Sequence, residues 1–238
     1  MIARVVLAVL LCGVAAGFAM GVMQQLRLTP IILQAETFET ATTAEAAAPA
    51  ASHDHAEGAT AHSHNAEAWM PADGFERTFY TFAASMLVGA GFAAMLAGVA
   101  YLAGMTISRK NGWVWGLCGF LAFSLAPSAG LPPELPGMPA ADVTLRQLWW
   151  VCTVCATGVA LWLLASRREN WAVAAALVLA IVPHVIGAPQ PTDHASLVPA
   201  PLAAHFTGLV LAANAVMWLI IGTLLGRFMP QIEAGNPA

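Results

Sequence analysis

The hydrophobic positions of this chain form long uninterrupted blocks, without the alternation that marks a half-buried strand. Most blocks approach the roughly 20 residues that an α-helix needs to cross the hydrocarbon core of a membrane. The blocks predict six spans, at about 2–27, 75–105, 113–128, 146–165, 171–187 and 201–228. We therefore expect an all-α polytopic membrane helix bundle. It would have five spans if the first block were a cleaved signal peptide or the short third block did not cross.

The polar segments between the blocks divide the chain into regions. Residues 1–28 form the first span, which should end at Thr29-Pro30. Region 29–74 is predicted to hold a short amphipathic helix at the membrane surface, followed by a disordered, His-rich external loop from residue 40. Region 75–228 holds the remaining spans, with an external proline-rich loop at 129–141. Residues 229–238 form a short cytoplasmic tail.

Composition supports a lipid-embedded protein. The chain has 238 residues, of which 59% are hydrophobic and 9% charged, whereas soluble domains carry about 25% charged residues. The net charge of -4 argues against a nucleic-acid partner. No phosphate-binding loop and no nucleophile motif occurs, so we expect a non-enzyme without a nucleotide cofactor, in contact with membrane lipid.

Basic residues predict the orientation of the spans. Alternate polar segments hold two sets of Lys and Arg, and cytoplasmic segments are enriched in them. The larger set is Arg4, Arg109, Lys110, Arg167, Arg168 and Arg227, and the smaller is Arg27, Arg77 and Arg146. Both termini should therefore be cytoplasmic and the His-rich loop external, at the periplasmic face of a bacterial inner membrane.

The external loop contains two His-x-His pairs with acidic residues between them. Its histidines are His53, His55, His62 and His64. Such a cluster is typical of metal binding, although a low-complexity polar linker is the alternative interpretation. A flexible loop must be ordered to bind, so a role in capturing ions fits better than catalysis.

Two further histidines lie within predicted spans. His184 and His205 are placed at similar depth in the outer third of the bilayer, on consecutive helices. Glu36 and Glu39, three residues apart, lie on one face of the surface helix at the same side. Imidazole and carboxylate ligands suit borderline divalent metals, so these four residues form a candidate metal site. The alternative is that each histidine makes one hydrogen bond to a helix carbonyl.

Other polar positions leave two interpretations open. Cys152 and Cys155 form a C-x-x-C motif within an apolar helix. They are either two small residues that serve packing or a pair that binds a soft metal or undergoes redox chemistry. Asn214, in the middle of the last span, is expected to bond across helices or to line a route for the substrate.

Several segments resemble one family. They are 3–8, 34–39, 130–142, 146–150 and 183–189, the last reading Pro-His-Val-Ile-Gly-Ala-Pro. The chain resembles the CbtA-type predicted cobalt transporter subunit family along nearly its whole length. The resemblance implies cobalt uptake linked to cobalamin biosynthesis and a small single-span partner subunit with a His-rich motif. It also implies five spans.

The sequence thus predicts a membrane subunit that takes up a divalent transition metal. Co²⁺ is the expected substrate, and Ni²⁺ or Zn²⁺ are the alternatives in a permease of the same architecture. A haem-binding membrane electron carrier with His184 and His205 as axial ligands is a different class, and a non-transporting assembly factor is a third.

Overall fold

The structure is a computed structural model that describes residues 2–46, 71–193 and 195–234. Within these residues it contains helices and no strand. The helices are α1 (Ile2–Met23), α2 (Thr29–Ala46), α3 (Phe75–Leu102), α4 (Gly112–Phe120), α5 (Ala126–Ser128), α6 (Val143–Ser166), α7 (Asn170–Ile186) and α8 (Ala200–Ala234), with π-helical segments at Gln24–Leu28 and Leu121–Leu125.

All six predicted hydrophobic blocks are helical. In the part of the chain that the structure describes, four stretches are long and apolar enough to cross a membrane, namely Ile2–Phe38, Phe75–Leu102, Val143–Ser166 and Ala200–Met229. Gly112–Ser128 and Asn170–Ile186 are shorter apolar helices, and the 17 residues of α7 lie at the lower limit for a span. The prediction of an all-α membrane helix bundle is confirmed.

The expected break at Thr29-Pro30 does not occur. The chain stays helical from α1 through Gln24–Leu28 into α2, and the helix continues to Ala46, beyond the predicted start of the loop at residue 40. The backbone N–H of Thr29 bonds to the carbonyl of Gln24, five residues back. This π-turn is wider than an α-helical turn and lies directly before Pro30. It accommodates the proline, which has no N–H and whose ring would clash with the carbonyl four residues earlier.

A second π-helical segment precedes a second proline at the same spacing. In Leu121–Leu125 the N–H of Ala126 bonds to the carbonyl of Leu121, and Pro127 follows. The two segments end two residues before Pro30 and two residues before Pro127. At Pro30 the helix therefore continues through the proline by local widening, whereas the helix that contains Pro127 ends at Ser128, where the sequence predicts the end of the third block.

Glycines bring two antiparallel helix pairs into close contact. In α1, Gly13 and Gly17 lie against the backbone of α3 at Gly89 and Ser85, so that no Cβ fits between the helices. In α4, Gly112 and Gly116 face the backbone of α8 in the same manner, with the partner positions at Gly222, Gly226 and Trp218. Small residues allow this approach, which gives dispersion contacts in a lipid environment.

The helices form a row with a hairpin attached. Helix α1 packs on both α3 and α8, and α8 packs on α4. Trp218, Ile221 and Leu225 of α8 are fully buried in the shared core. Helices α6 and α7 pack mainly on each other, and α6 reaches the row chiefly through residues 121–128. One such contact is the edge-to-face pair of Phe123 with Trp150.

The bundle has two distinct ends. At one end, Leu28 and Ala35 pack with Leu135 of the proline-rich segment and with Val198 and Phe206 near the start of α8. We call this the loop end; it comprises the α1–α2 junction, the start of α3, residues 129–142 and residues 187–199. The start of α1, residues 103–111, residues 167–169 and the last turns of α8 lie at the opposite end.

Candidate functional site

The structure describes some of the predicted metal ligands. His53, His55, His62 and His64 lie outside the described residues. Glu39 is within α2, but its side chain is outside the part that the structure describes. The side chains of Glu36, His184 and His205 can be placed.

Glu36 is held by an arginine from the start of α3. Its Oε1 accepts from Arg77 Nη2 at 2.6 Å and its Oε2 from Arg77 Nη1 at 3.5 Å. Arg77 Nη1 also donates to Asp73 Oδ1 at 3.2 Å. Guanidinium and carboxylate match as a two-pronged pair, the strongest geometry for such a contact. The pair ties α2 to α3 at the loop end.

The two histidines are both exposed on their helices. The His184 ring meets Trp149 of α6 edge-to-face, with centroids 5.9 Å apart. The Trp149 indole N–H donates to the carbonyl of Pro183 at 3.2 Å, which fixes the end of α7 on α6. Within the described residues no three His, Cys, Asp or Glu side chains come close enough to hold a metal ion. Glu36, His184 and His205 thus do not form such a group, and the four-residue site stays a prediction.

The first of two cavities at the loop end lies between α1, α3 and α8. We call it cavity A; it has a volume of about 490 Å³, and Pro71, Arg77, Tyr80, Thr81, Gln24, Ser85, Met20, Met217 and Asn214 contribute to its lining. The buried Ser85 Oγ lies 2.7 Å from both Gln24 Oε1 and the carbonyl oxygen of Thr81. The hydroxyl carries one hydrogen, so it donates to one of these two acceptors at a time.

The second cavity lies between residues 121–133, α6 and α8. We call it cavity B; it measures about 660 Å³, and its polar lining residues are Ser124, Ser128, Arg146, Gln147 and Asn214. Arg146 pairs with Glu134 of the proline-rich segment at 2.8 Å. Leu131, Pro132 and Pro133 of the proline-rich segment also line the cavity; irregular backbone that lines a cavity is tolerated near a membrane.

The two cavities share three features. Each has an arginine of its wall paired with a glutamate from another segment, Arg77 with Glu36 and Arg146 with Glu134. Each includes a residue of a π-helical segment, Gln24 in cavity A and Ser124 in cavity B. Such segments are common at functional sites in helical proteins. Asn214 lines both cavities.

The arginine that lines each cavity is compensated by carboxylates beside it. Glu36 and Asp73 together outweigh Arg77, and Glu134 neutralises Arg146. Sequence reasoning used the two arginines only to orient the chain and did not assign Glu134. The sequence did indicate such pairs, because few charged residues border the spans at this end. Each of them was therefore a candidate for an ion pair with a specific residue.

The cysteines give no site among the described residues. Cys152 and Cys155 are free thiols on the exposed surface of α6, Cys12 is buried, and Cys118 is half-buried. No group of three potential metal ligands within the described residues includes them, and the two interpretations of the C-x-x-C pair stay predictions.

A family comparison covers the bundle and both cavities. The family described as probable cobalt transporter subunit (CbtA) matches residues 2–230. The chain belongs to this family. It is therefore a multi-pass membrane protein of a cobalt transporter subunit family, and the term subunit implies partner proteins. No curated protein matches the chain, and no solved structure does.

Proposed function

We propose that this cobalt transporter subunit translocates Co²⁺, which it admits through the two cavities at the loop end. The observation that carries the proposal is the pair of cavities, each with a charge-compensated arginine and both reaching Asn214. Their volumes hold roughly 15 to 20 water molecules each at about 30 Å³ per molecule, enough for a hydrated ion. A cavity of low net charge between apolar helices holds a cation weakly, which suits the passage of the ion better than its permanent binding.

The His-rich segment would deliver ions to cavity A. This segment leaves the bundle at the end of α2 and returns at Pro71, which lines cavity A. His53, His55, His62 and His64 therefore belong to the stretch of sequence between the end of α2 and Pro71, a residue of the lining of cavity A. Neutral imidazole binds Co²⁺, Ni²⁺ and Zn²⁺, so the segment would raise the ion concentration near the cavity mouth.

Glu36 would receive the ion by exchanging partners. Its carboxylate is about one-third exposed and pairs with Arg77. An ion pair at such a site contributes roughly 0.2 to 1 kcal/mol, which a divalent cation can outweigh. Glu39 lies three residues further along α2, and His184 and His205 belong to helices that meet the same end, so these side chains are the further ligands we propose for the arriving ion.

The setting that fits this role is a bacterial inner membrane with the loop end outside. The two ends of the bundle carry the two sets of basic residues, and the larger set, including Arg109 and Arg167, would be cytoplasmic. A small single-span partner subunit with its own His-rich motif would complete the system. The transport energy would come from an ion gradient, the membrane potential or that partner.

Uptake of labelled Co²⁺ in cells expressing the chain, with and without the partner, tests the function. We expect saturable uptake that unlabelled Co²⁺ reduces more strongly than Ni²⁺ or Zn²⁺ does. Absence of uptake under both conditions would refute transport, and stronger competition by Ni²⁺ or Zn²⁺ would reassign the substrate. Equal membrane levels of the chain in all samples are the control.

Four variants test the proposed ligands. Glu36→Gln, His184→Ala and His205→Ala should each lower Co²⁺ uptake. Glu169→Gln is the matched control because Glu169 lies at the opposite end, where its carboxylate accepts from the N–H of Arg168. If the three variants and the control transport equally, the proposed ligand roles are wrong.

A further inference from the structure

Asn214 occupies a special position in α8. It is the residue that the described linings of cavities A and B have in common. Fourteen residues separate it from the first residue of α8, which places it about 20 Å from that end at 1.5 Å per residue. A polar side chain at this depth lies in the middle of the bilayer, where polar groups are costly unless they have a function.

The hydrogen bonding of Asn214 orients its amide. Nδ2 donates to the carbonyl of Val210, one turn back on the same helix, at 2.9 Å. Among the described residues, none on another helix forms a hydrogen bond with Asn214. The structure therefore does not show the cross-helix bond that the sequence analysis considered. With Nδ2 anchored on the helix, Oδ1 accepts no hydrogen bond from the described residues and is the amide atom available to a ligand. Neutral amide oxygens replace hydration water around divalent cations.

An aromatic cluster lies one turn beyond Asn214. The ring of Trp218 is 4.7 Å from Phe92 and 5.4 Å from Phe123, measured between centroids. Trp218 is fully buried, and its indole N–H has no hydrogen-bond partner among the described residues. Positions four apart share a helix face, so Trp218 follows Asn214 on the same side of α8 in the direction of the opposite end of the bundle.

We propose that Asn214 contacts the transported divalent cation where cavities A and B meet, and that the Phe92–Phe123–Trp218 cluster is the closed barrier beyond it. This inference rests on the proposed function and adds the contact residue and the direction in which the route is closed. The cation reaches Asn214 from the loop end, exchanges part of its hydration shell for Oδ1, and advances when the aromatic cluster opens.

Uptake by Asn214 variants is the first test. Asn214→Leu removes the oxygen ligand and should lower Co²⁺ uptake at least about tenfold, because the ion loses a compensating ligand in an apolar setting. Asn214→Asp keeps the oxygen, adds charge, and should lower the apparent KM. Thr223→Val is the matched control, since Thr223 also bonds to a carbonyl of its own helix but is exposed. Normal uptake by Asn214→Leu would overturn the inference while leaving the transport function intact.

Thiol labelling separates the two proposals. In a chain whose four native cysteines are replaced by alanine, Asn214→Cys should react with a water-soluble thiol reagent in membrane vesicles, and Co²⁺ should slow the reaction. Thr223 is exposed and belongs to neither described lining, so Co²⁺ should not change the rate at which Thr223→Cys is labelled. If labelling of position 214 is absent or is unaffected by Co²⁺, the contact role is refuted. If Co²⁺ protects position 214 while wild-type cells take up no Co²⁺, the inferred contact stands and the transport function fails.

Discussion

The contact between α1 and α3 gives a prediction whose size follows from the geometry. In Gly17→Ala, the new Cβ would lie 2.5 Å from Met86 Cα and 2.7 Å from the carbonyl carbon of Ser85. Since ordinary carbon contacts are about 3.5 to 4.0 Å, the helices must separate by about 1 Å. That shift breaks the 2.7 Å bond between Ser85 and Gln24 and opens the wall of cavity A.

The expected loss of stability can be bounded. Overpacking costs about 1 to 3 kcal/mol, and an interhelical hydrogen bond in a membrane contributes about 0.6 to 2 kcal/mol. The intrinsic preference of alanine over glycine in a helix returns up to about 1 kcal/mol. We therefore expect a net destabilisation of about 1 to 4 kcal/mol for Gly17→Ala.

Gly91→Ala is the matched control for this experiment. A Cβ at Gly91 in α3 meets no atom within 4 Å, so the substitution should leave stability unchanged or raise it slightly. Thermal unfolding of the purified protein in detergent, followed by tryptophan fluorescence, measures both variants. Gly17→Ala should melt below the wild type and Gly91→Ala at or above it. Equal melting temperatures for the two variants would refute the close antiparallel contact of α1 with α3.

Three further predictions concern the loop end. Arg77→Gln removes a cation beside Glu36 and should lower the apparent KM for Co²⁺ uptake by up to about fivefold; an increase would mean that Arg77 binds an anionic group. Trp149→Phe removes the bond to the carbonyl of Pro183 and should reduce stability by about 1 kcal/mol in the same melting assay; no change would show that packing alone holds α7. Deleting residues 53–64 should raise the apparent KM and leave the maximal rate nearly intact, whereas a lost maximal rate would contradict a capture role.

Sequence patterns located the polar end of the bundle but not the arrangement of its side chains. Glu36 was assigned correctly to this end, yet its partner Arg77 lies 41 positions away, and no local spacing relates the two. Glu134 and Arg146 were each visible beside a span, but their pairing depends on how the proline-rich segment folds back to α6. The role of Asn214 was left open, since a single polar residue in a span does not reveal which cavities it faces.

Pro30 shows a second reason why the sequence alone did not predict the helix boundaries. Pro30 carries a strong local signal for a helix end, because it lacks an N–H and its ring crowds the carbonyl four residues before it. The structure keeps the helix by widening the turn at Gln24–Leu28. Packing of Leu28 and Ala35 against Leu135 and Phe206 favours a continued helix, and that contribution comes from other parts of the chain.

By itself, the sequence determined that this protein is an all-α membrane bundle of the cobalt transporter subunit family, because lipid requires long apolar helices and hydropathy is a local property. It also showed where histidines, the candidate metal ligands, are concentrated along the chain. The tertiary structure decided which helices touch and which charges pair. It also decided that Asn214 lines two cavities. Those features depend on contacts between residues far apart in the chain, and glycine positions reveal their partners only once the helices are packed.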